Sequence, residues 1–319
     1  MAAPTSHETM SQCDLPIALP SHPAKVIHPL SDVTKVILGL PGDTSAVLGS
    51  GVTAALARVL KNSEVIWRAE SSSDRYVVKC DARMIVKCVD TNQDFTEYTS
   101  MQFLETHEPQ IPAPRPHGLI VSGKLAYILM SFVPGSTLAE IWHTLDGPKK
   151  ILLRDEINDI FLQIRKVEWS EGTPLGGVGG EGCKDVRRNT KRSSSPMYTA
   201  KEFWEFQYSR TSCRSKIYIQ FLRDLTRPLQ SSKCVFTHGD VHPKNIMIEQ
   251  NDNGEYHISG LVDWERSGFY PEDFECTKIT NCLATDETND WYLYLPPCIS
   301  PATYTSRWLS DSKWDIFVA

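Results

Sequence analysis

Hydrophobic and polar positions divide the chain into two differently patterned halves. Glu64–Arg68, Asp74–Cys80 and Met84–Val89 are short β-prone runs, and the turn-like Asp81-Ala82-Arg83 makes the last two a hairpin, YVVKC-DAR-MIVKCV. Phe95, Tyr98, Met101, Phe103 and Leu104 then recur at helical spacing behind Asp94, which predicts a helix. The proline-rich IPAPRPHG stops it. His117–Val121 and Leu125–Val133, either side of Ser122-Gly123-Lys124, predict another strand pair. Thr53–Leu60 reads as a helix behind the loop VLGSG.

From Ser136 onward the period lengthens. Ser136–Leu145, Ile151–Val167, Lys201–Tyr208 and Ile217–Leu225 carry helical patterns. The stretch GTPLGGVGGEG and the basic KDVRRNTKRSSSP between them read as loops, with Lys184–Arg192 expected to be solvated. Late strands are expected around Val235-Phe236, over Ile246-Met247-Ile248 at the end of THGDVHPKNIMIE, and over Tyr256–Val262. The pattern predicts an α+β chain: a flexible tail over 1–30, a small antiparallel β-rich lobe over 31–132 and a helical lobe over 133–319.

Composition narrows the class. Hydrophobic residues make up 41% and charged residues 23% of 319 residues, as in a soluble globular protein. A net charge of −6 gives no reason to expect a nucleic-acid or membrane partner. No apolar run reaches the length of a membrane span, and the N-terminus lacks the basic and apolar segments of a secretory signal. Nine cysteines without a CxxC pair suggest reduced thiols in the cytoplasm. The sequence does not decide the oligomeric state, and a monomer is expected.

The loop Thr237–Glu249 concentrates the candidate chemistry. Asp240 and Asn245 have the spacing D-x-x-x-x-N, in which the Asp can take a substrate proton and the Asn can hold a metal ion. Asp263, at the end of the apolar strand HISGLV, is a second candidate Mg²⁺ ligand. Lys87 in MIVKCV precedes the helix that carries Glu97, so the two could form the ion pair that positions ATP phosphates. Lys79 on the earlier strand is its rival. A different reading builds a zinc hydrolase on His238, Asp240 and His242, but leaves Lys87, Glu97 and Asn245 without roles.

HGDVHPKNIMIE followed by ISGLVDWERSGFYPEDFE resembles the aminoglycoside phosphotransferase-like family, in particular its fungal-type branch. VPGSTLAEIW is similar to that family's hinge segment and the helix after it. The resemblance covers about 59–275. It implies a bilobal protein-kinase-like fold that moves the γ-phosphate of ATP, with Mg²⁺, onto a hydroxyl of a small molecule. It implies Asp240 as catalytic base with His238 bracing the loop, Asn245 and Asp263 as Mg²⁺ ligands, and Lys87 with Glu97 at the phosphates. Backbone groups near Ser131 and Val133 would meet adenine. The chain departs from the pattern twice. VLGSGVTAALARV lacks the third glycine of a G-x-G-x-x-G loop, and only a short stretch follows Asp263, which predicts a small or incomplete acceptor pocket. No A-P-E segment follows Asp263 either, which argues against a protein kinase. A non-catalytic kinase-like module that binds nucleotide or a partner is the alternative. Trp264 is expected to pack rather than to stack on a ligand.

Overall fold

A computed structural model describes residues 17–42, 49–70, 72–91, 94–185, 191–209, 215–226 and 233–317. They fall into two compact units, Met1–Asp94 with Pro116–Phe132, and Phe95–Arg115 with Val133–Ala319.

The first unit is an antiparallel sheet with two helices. Its elements are β1 (Lys25–His28), α1 (Asp32–Leu38), α2 (Gly49–Lys61), β2 (Glu64–Arg68), β3 (Tyr76–Lys79), β4 (Met84–Asp90), β5 (Pro116–Ser122) and β6 (Leu125–Ser131). The strand order is β1-β5-β6-β4-β3-β2. Val86 and Cys88 of β4 and Tyr76 and Val78 of β3 point into one core with Leu38, Leu56 and Leu60 from the helices. With period 2, Lys87 and Lys79 therefore lie on the opposite sheet face, where Lys87 pairs with Val77 and Lys79 with Ile85.

Two expectations for this unit are corrected. Lys25–His28 falls in the stretch expected to be a loose tail, yet it pairs with Val121–Leu119 as the sheet's edge strand. The backbone groups that face β5 are satisfied by that ladder, and Ala24 beside it is buried. The glycines of VLGSG do not form an open loop either. Gly49 and Gly51 lie in the first turn of α2, and a side chain at Gly49 would strike the carbonyl of Ala24. Val47 and Leu48 lie outside the described residues.

The second unit begins with α3 (Thr96–His107) and continues with β7 (Ser136–Thr137), α4 (Leu138–Ile141), α5 (Gly147–Ile164), β8 (Lys184–Asp185), β9 (Lys191–Arg192), α6 (Ala200–Gln207) and α7 (Lys216–Thr226). Then come β10 (Cys234–Thr237), β11 (Ile246–Gln250), β12 (Tyr256–Leu261), β13 (Gly268–Pro271), α8 (Phe274–Lys278) and α9 (Thr305–Phe317). Thr137 with Glu140 and Thr199 with Glu202 form capping boxes that start α4 and α6. Asp146 caps α5, which buries Leu153, Ile157, Phe161 and Ile164 along one stripe.

Two small strand pairs position the candidate chemistry. β11 and β12 form a hairpin in which Ile246 faces Leu261, so Asn245 just before it and Asp263 just after it emerge at the same end. β10 pairs with β13 so that Thr237 faces Gly268, which lays the loop from His238 beside Arg266. Among the described residues no cysteine is disulfide-bonded, and no helix is long and apolar enough to cross a membrane.

Candidate active site

The loop after β10 is held in place mainly by side chains that hydrogen-bond to backbone groups. Gly239 adopts φ 79°, and a Cβ there would meet the carbonyl oxygen of Arg266 at 2.5 Å, so the turn requires glycine. The buried His238 ring accepts the N–H of Asp240 on Nδ1 at 3.2 Å, and its Nε2–H donates to the carbonyl of Val262 at 3.1 Å. Burial pushes its pKa down to about 4, so the ring is neutral near pH 7. The ring packs on Trp264 with centroids 4.5 Å apart, and Trp264 is itself fully buried with Nε1–H donating to Leu261.

Below the loop lies a residue that the sequence reading missed. The buried Glu275 carboxylate accepts the backbone N–H of His238 at 2.9 Å and that of Gly239 at 3.0 Å. Burial raises its pKa to about 7, against the pull of Arg165 and of these two donors. Its only sequence signal is its place as the last residue of PEDFE, and a lone glutamate in α8 announces no partner.

Asp240 is half-buried and doubly held. Nδ2 of Asn245 donates to the Asp240 carbonyl at 2.9 Å and lies 3.5 Å from Oδ2. With the amide turned this way, the Asn245 Oδ1 points away from Asp240 and is the atom suited to a cation. Arg266 donates to Oδ1 of Asp240 at 2.7 Å. Burial raises the Asp240 pKa to about 6, Arg266 lowers it, and Asp263 and Glu265 raise it again.

Asp263 is the non-glycine residue with positive φ among those described, at 67°. A left-handed aspartate costs backbone energy that the surrounding structure must offset, and such residues cluster at functional sites. Its carboxylate lies with those of Glu97 and Glu265, one oxygen from each within 4.8 Å of the others. Three oxygen donors without sulfur or imidazole suit a hard cation such as Mg²⁺. Glu97 is nearly fully buried, which makes a charged role on a helix face more than solvation. Glu265 was missed as a site residue, although the D-W-E spacing puts it two positions from Asp263.

The zinc reading does not survive this geometry. Both ring nitrogens of His238 are engaged by the backbone, and Nδ1 of His242 accepts the N–H of Lys244 at 3.2 Å.

The basic run is also not the solvated loop it was expected to be, as far as it is described. Lys184 is buried and its Nζ donates to Thr96 at 2.8 Å and to the carbonyl of Glu265 at 2.6 Å. Asp185 pairs with Lys278 at 3.0 Å, both side chains 2% exposed. Residues 186–190 lie outside the described residues.

The residues expected at the nucleotide sit as follows. Lys87 is buried on β4, while Nζ of Lys79 lies over the Phe132 ring at 3.9 Å. Ser131 closes β6 opposite Met84, and Phe132 N–H donates to the carbonyl of Arg83. Val133 begins the second unit and packs over Gly260.

The sequence pattern of the phosphotransferase enzyme family matches residues 64–292. Among curated proteins none matches the chain. Among solved structures, the streptomycin–ATP–APH(2")-IIa ternary complex is similar at a TM-score of 0.52 and 14% identity, over 83% of this chain and 88% of that one. ADP-bound aminoglycoside phosphotransferase APH(2'')-Ib is similar at a TM-score of 0.52 and 13% identity, over 82% and 88%. At these identities the likeness concerns the fold, which is the bilobal kinase-like α+β fold. With most of its length inside the matched region, the chain belongs to the phosphotransferase enzyme family.

Proposed function

We propose that this protein transfers the γ-phosphate of ATP to a hydroxyl of a small molecule, with Asp240 as general base. The observation that carries the reading is the β11–β12 hairpin, which brings Asn245 and Asp263 to one end, next to the loop of Asp240. Asp240 would accept the acceptor proton through Oδ2, the oxygen that Arg266 does not hold. Asn245 fixes the Asp240 backbone with its amide N–H and would offer Oδ1 to the metal beside Asp263. Glu97 and Glu265 would add oxygen donors to that cation. Mg²⁺ bound with ATP supplies the charge neutralisation that phosphoryl transfer requires. His238 keeps the loop rigid as a neutral ring, and Glu275 holds the loop's N–H groups from below.

Lys87 is the proposed phosphate-binding cation, and the backbone near Ser131 and Val133 the proposed adenine contact. Buried Lys87 suits the role better than Lys79, which is committed to the Phe132 ring. The similar structures carry ATP or ADP, and one carries streptomycin, which supports a nucleotide and a small hydroxylated acceptor. The DWE and PEDFE motifs support placement in the fungal-type branch, and the unpatterned cysteines support a cytoplasmic enzyme.

The test is ADP release from ATP and Mg²⁺ across a library of hydroxylated metabolites. Acceptor-dependent release that chelation of Mg²⁺ abolishes supports the reading. Nucleotide binding without transfer to any compound would favour a non-catalytic module.

A further inference from the structure

This inference rests on the phosphotransferase reading and concerns what its acceptor is. In the transfer, the acceptor oxygen forms a bond to the γ-phosphorus and its proton passes to Asp240. The bond from that phosphorus to the β–γ bridging oxygen breaks, and the electron pair leaves on ADP. The reacting hydroxyl must therefore sit within hydrogen-bond reach of the Asp240 carboxylate. The side chain already within that reach is Arg266, at 2.7 Å from Oδ1.

Arg266 is rigidly presented. Its carbonyl lies against Gly239, and the next residue, Ser267, donates from its hydroxyl to Trp264 at 2.6 Å and its N–H to the same carbonyl at 3.2 Å. The Arg266 and Asp240 side chains are 30% and 23% exposed, so both can be reached from solvent. A guanidinium that served only to hold a carboxylate would form the two-pronged pair that its fork geometry favours. Arg266 instead donates from one nitrogen among the described residues, which leaves an edge of the fork for a second anion.

The charge balance points the same way. Glu97, Asp263 and Glu265 gather at the position suited to a cation. Asp240 is balanced by Arg266, and Lys244 on the same loop is an exposed cation. With the three carboxylates committed to a cation and Asp240 paired with Arg266, none of these four acids is left over to draw a polycationic acceptor.

We infer that Arg266 is an acceptor-binding group, and that the hydroxyl this protein phosphorylates belongs to an anionic compound whose carboxylate or phosphate lies beside the reacting oxygen.

The full chain is tested with Mg²⁺ and γ-labelled ATP on four matched acceptor sets: hydroxy acids, phosphorylated polyols and sugars, neutral polyols and sugars, and aminoglycosides. Acceptor binding is measured in parallel by calorimetry with Mg·ADP. The expected result is label transfer to one of the two anionic sets, which also tells carboxylate from phosphate. Arg266→Gln then raises KM for that acceptor at least about tenfold, a typical charge-assisted contact, with KM for ATP unchanged and Arg266→Lys in between. Transfer to neutral or cationic compounds with an unchanged KM in Arg266→Gln overturns the inference and leaves the phosphotransferase reading standing. An equal fall in kcat for every acceptor also overturns it, because Arg266 would then only hold Asp240. Absence of label with Arg266-dependent binding of anions overturns the transfer reading but supports the anion site. Absence of both overturns the two together.

Discussion

Glu275 supports the HGD loop from beneath: its buried carboxylate takes the backbone N–H of His238 at 2.9 Å, and that of Gly239 beside it. Without it, two buried N–H groups lose their partner, each at a cost of about 1–3 kcal/mol. Glu275→Ala should therefore destabilise the protein by about 2–5 kcal/mol in urea melts, whereas Glu275→Gln, which keeps one acceptor oxygen, should lose less.

The same residue predicts a pH dependence. The Glu275 carboxyl is raised in the folded protein from 4.5 to about 7, so the folded state binds the proton more tightly. Its contribution is fully present below pH 4.5 and is lost as pH rises through 7, a total of roughly 3 kcal/mol. His238, depressed from 6.5 to about 4, works in the opposite direction, its contribution fading as pH falls. The raw slope therefore mixes the two, and the comparison needed is wild type against Glu275→Gln between pH 5 and 8. The wild type should lose ground to the variant as pH rises. A constant gap would mean that Glu275 does not titrate in this window.

The proposed place of Asp263 at the cation would couple stability to cation binding. Asp263 holds a left-handed backbone and a carboxylate crowded by Glu97 and Glu265. Asparagine tolerates that backbone and removes one of the repelling charges. Asp263→Asn should fold with a melting temperature close to wild type without Mg²⁺, and should lose Mg²⁺-dependent turnover. Mg²⁺ should raise the wild-type melting temperature and leave the variant unmoved. Equal stabilisation of both by Mg²⁺ would place the ion elsewhere.

Nucleotide anchoring separates the two lysines. Lys87→Met keeps the buried stem and removes the charge, so it should weaken ATP binding at least about tenfold. Lys79→Ala should change it less than about threefold, losing mainly its contact with Phe132. The reverse ranking in a nucleotide titration would give the role to Lys79.

Much of the fold could be read before the structure because its signals are local. The hairpin of β3 and β4 shows in alternation around Asp81-Ala82-Arg83, and α3 shows in the spacing of Tyr98, Met101 and Leu104. The HGD loop and Asp263 stand out because a few polar residues sit at fixed spacing between apolar strands. What escaped depends on distant partners. Lys25–His28 is a four-residue edge strand whose partner β5 comes some ninety residues later. Lys184 and Asp185 look like surface charges until Glu265 and Lys278 cover them. Arg266 and Glu275 each act on the HGD loop across 26 to 37 residues of sequence, a distance at which spacing carries no signal.

The central claim is that Asp240 takes the acceptor's proton while ATP gives up its γ-phosphate. Single-turnover transfer from γ-labelled ATP to the acceptor tests it most directly, with wild type and Asp240→Asn compared at saturating nucleotide. Loss of a positioned general base should slow labelling by about 10²- to 10⁴-fold, with ATP affinity and melting temperature close to wild type. Labelling by Asp240→Asn at the wild-type rate would contradict the account.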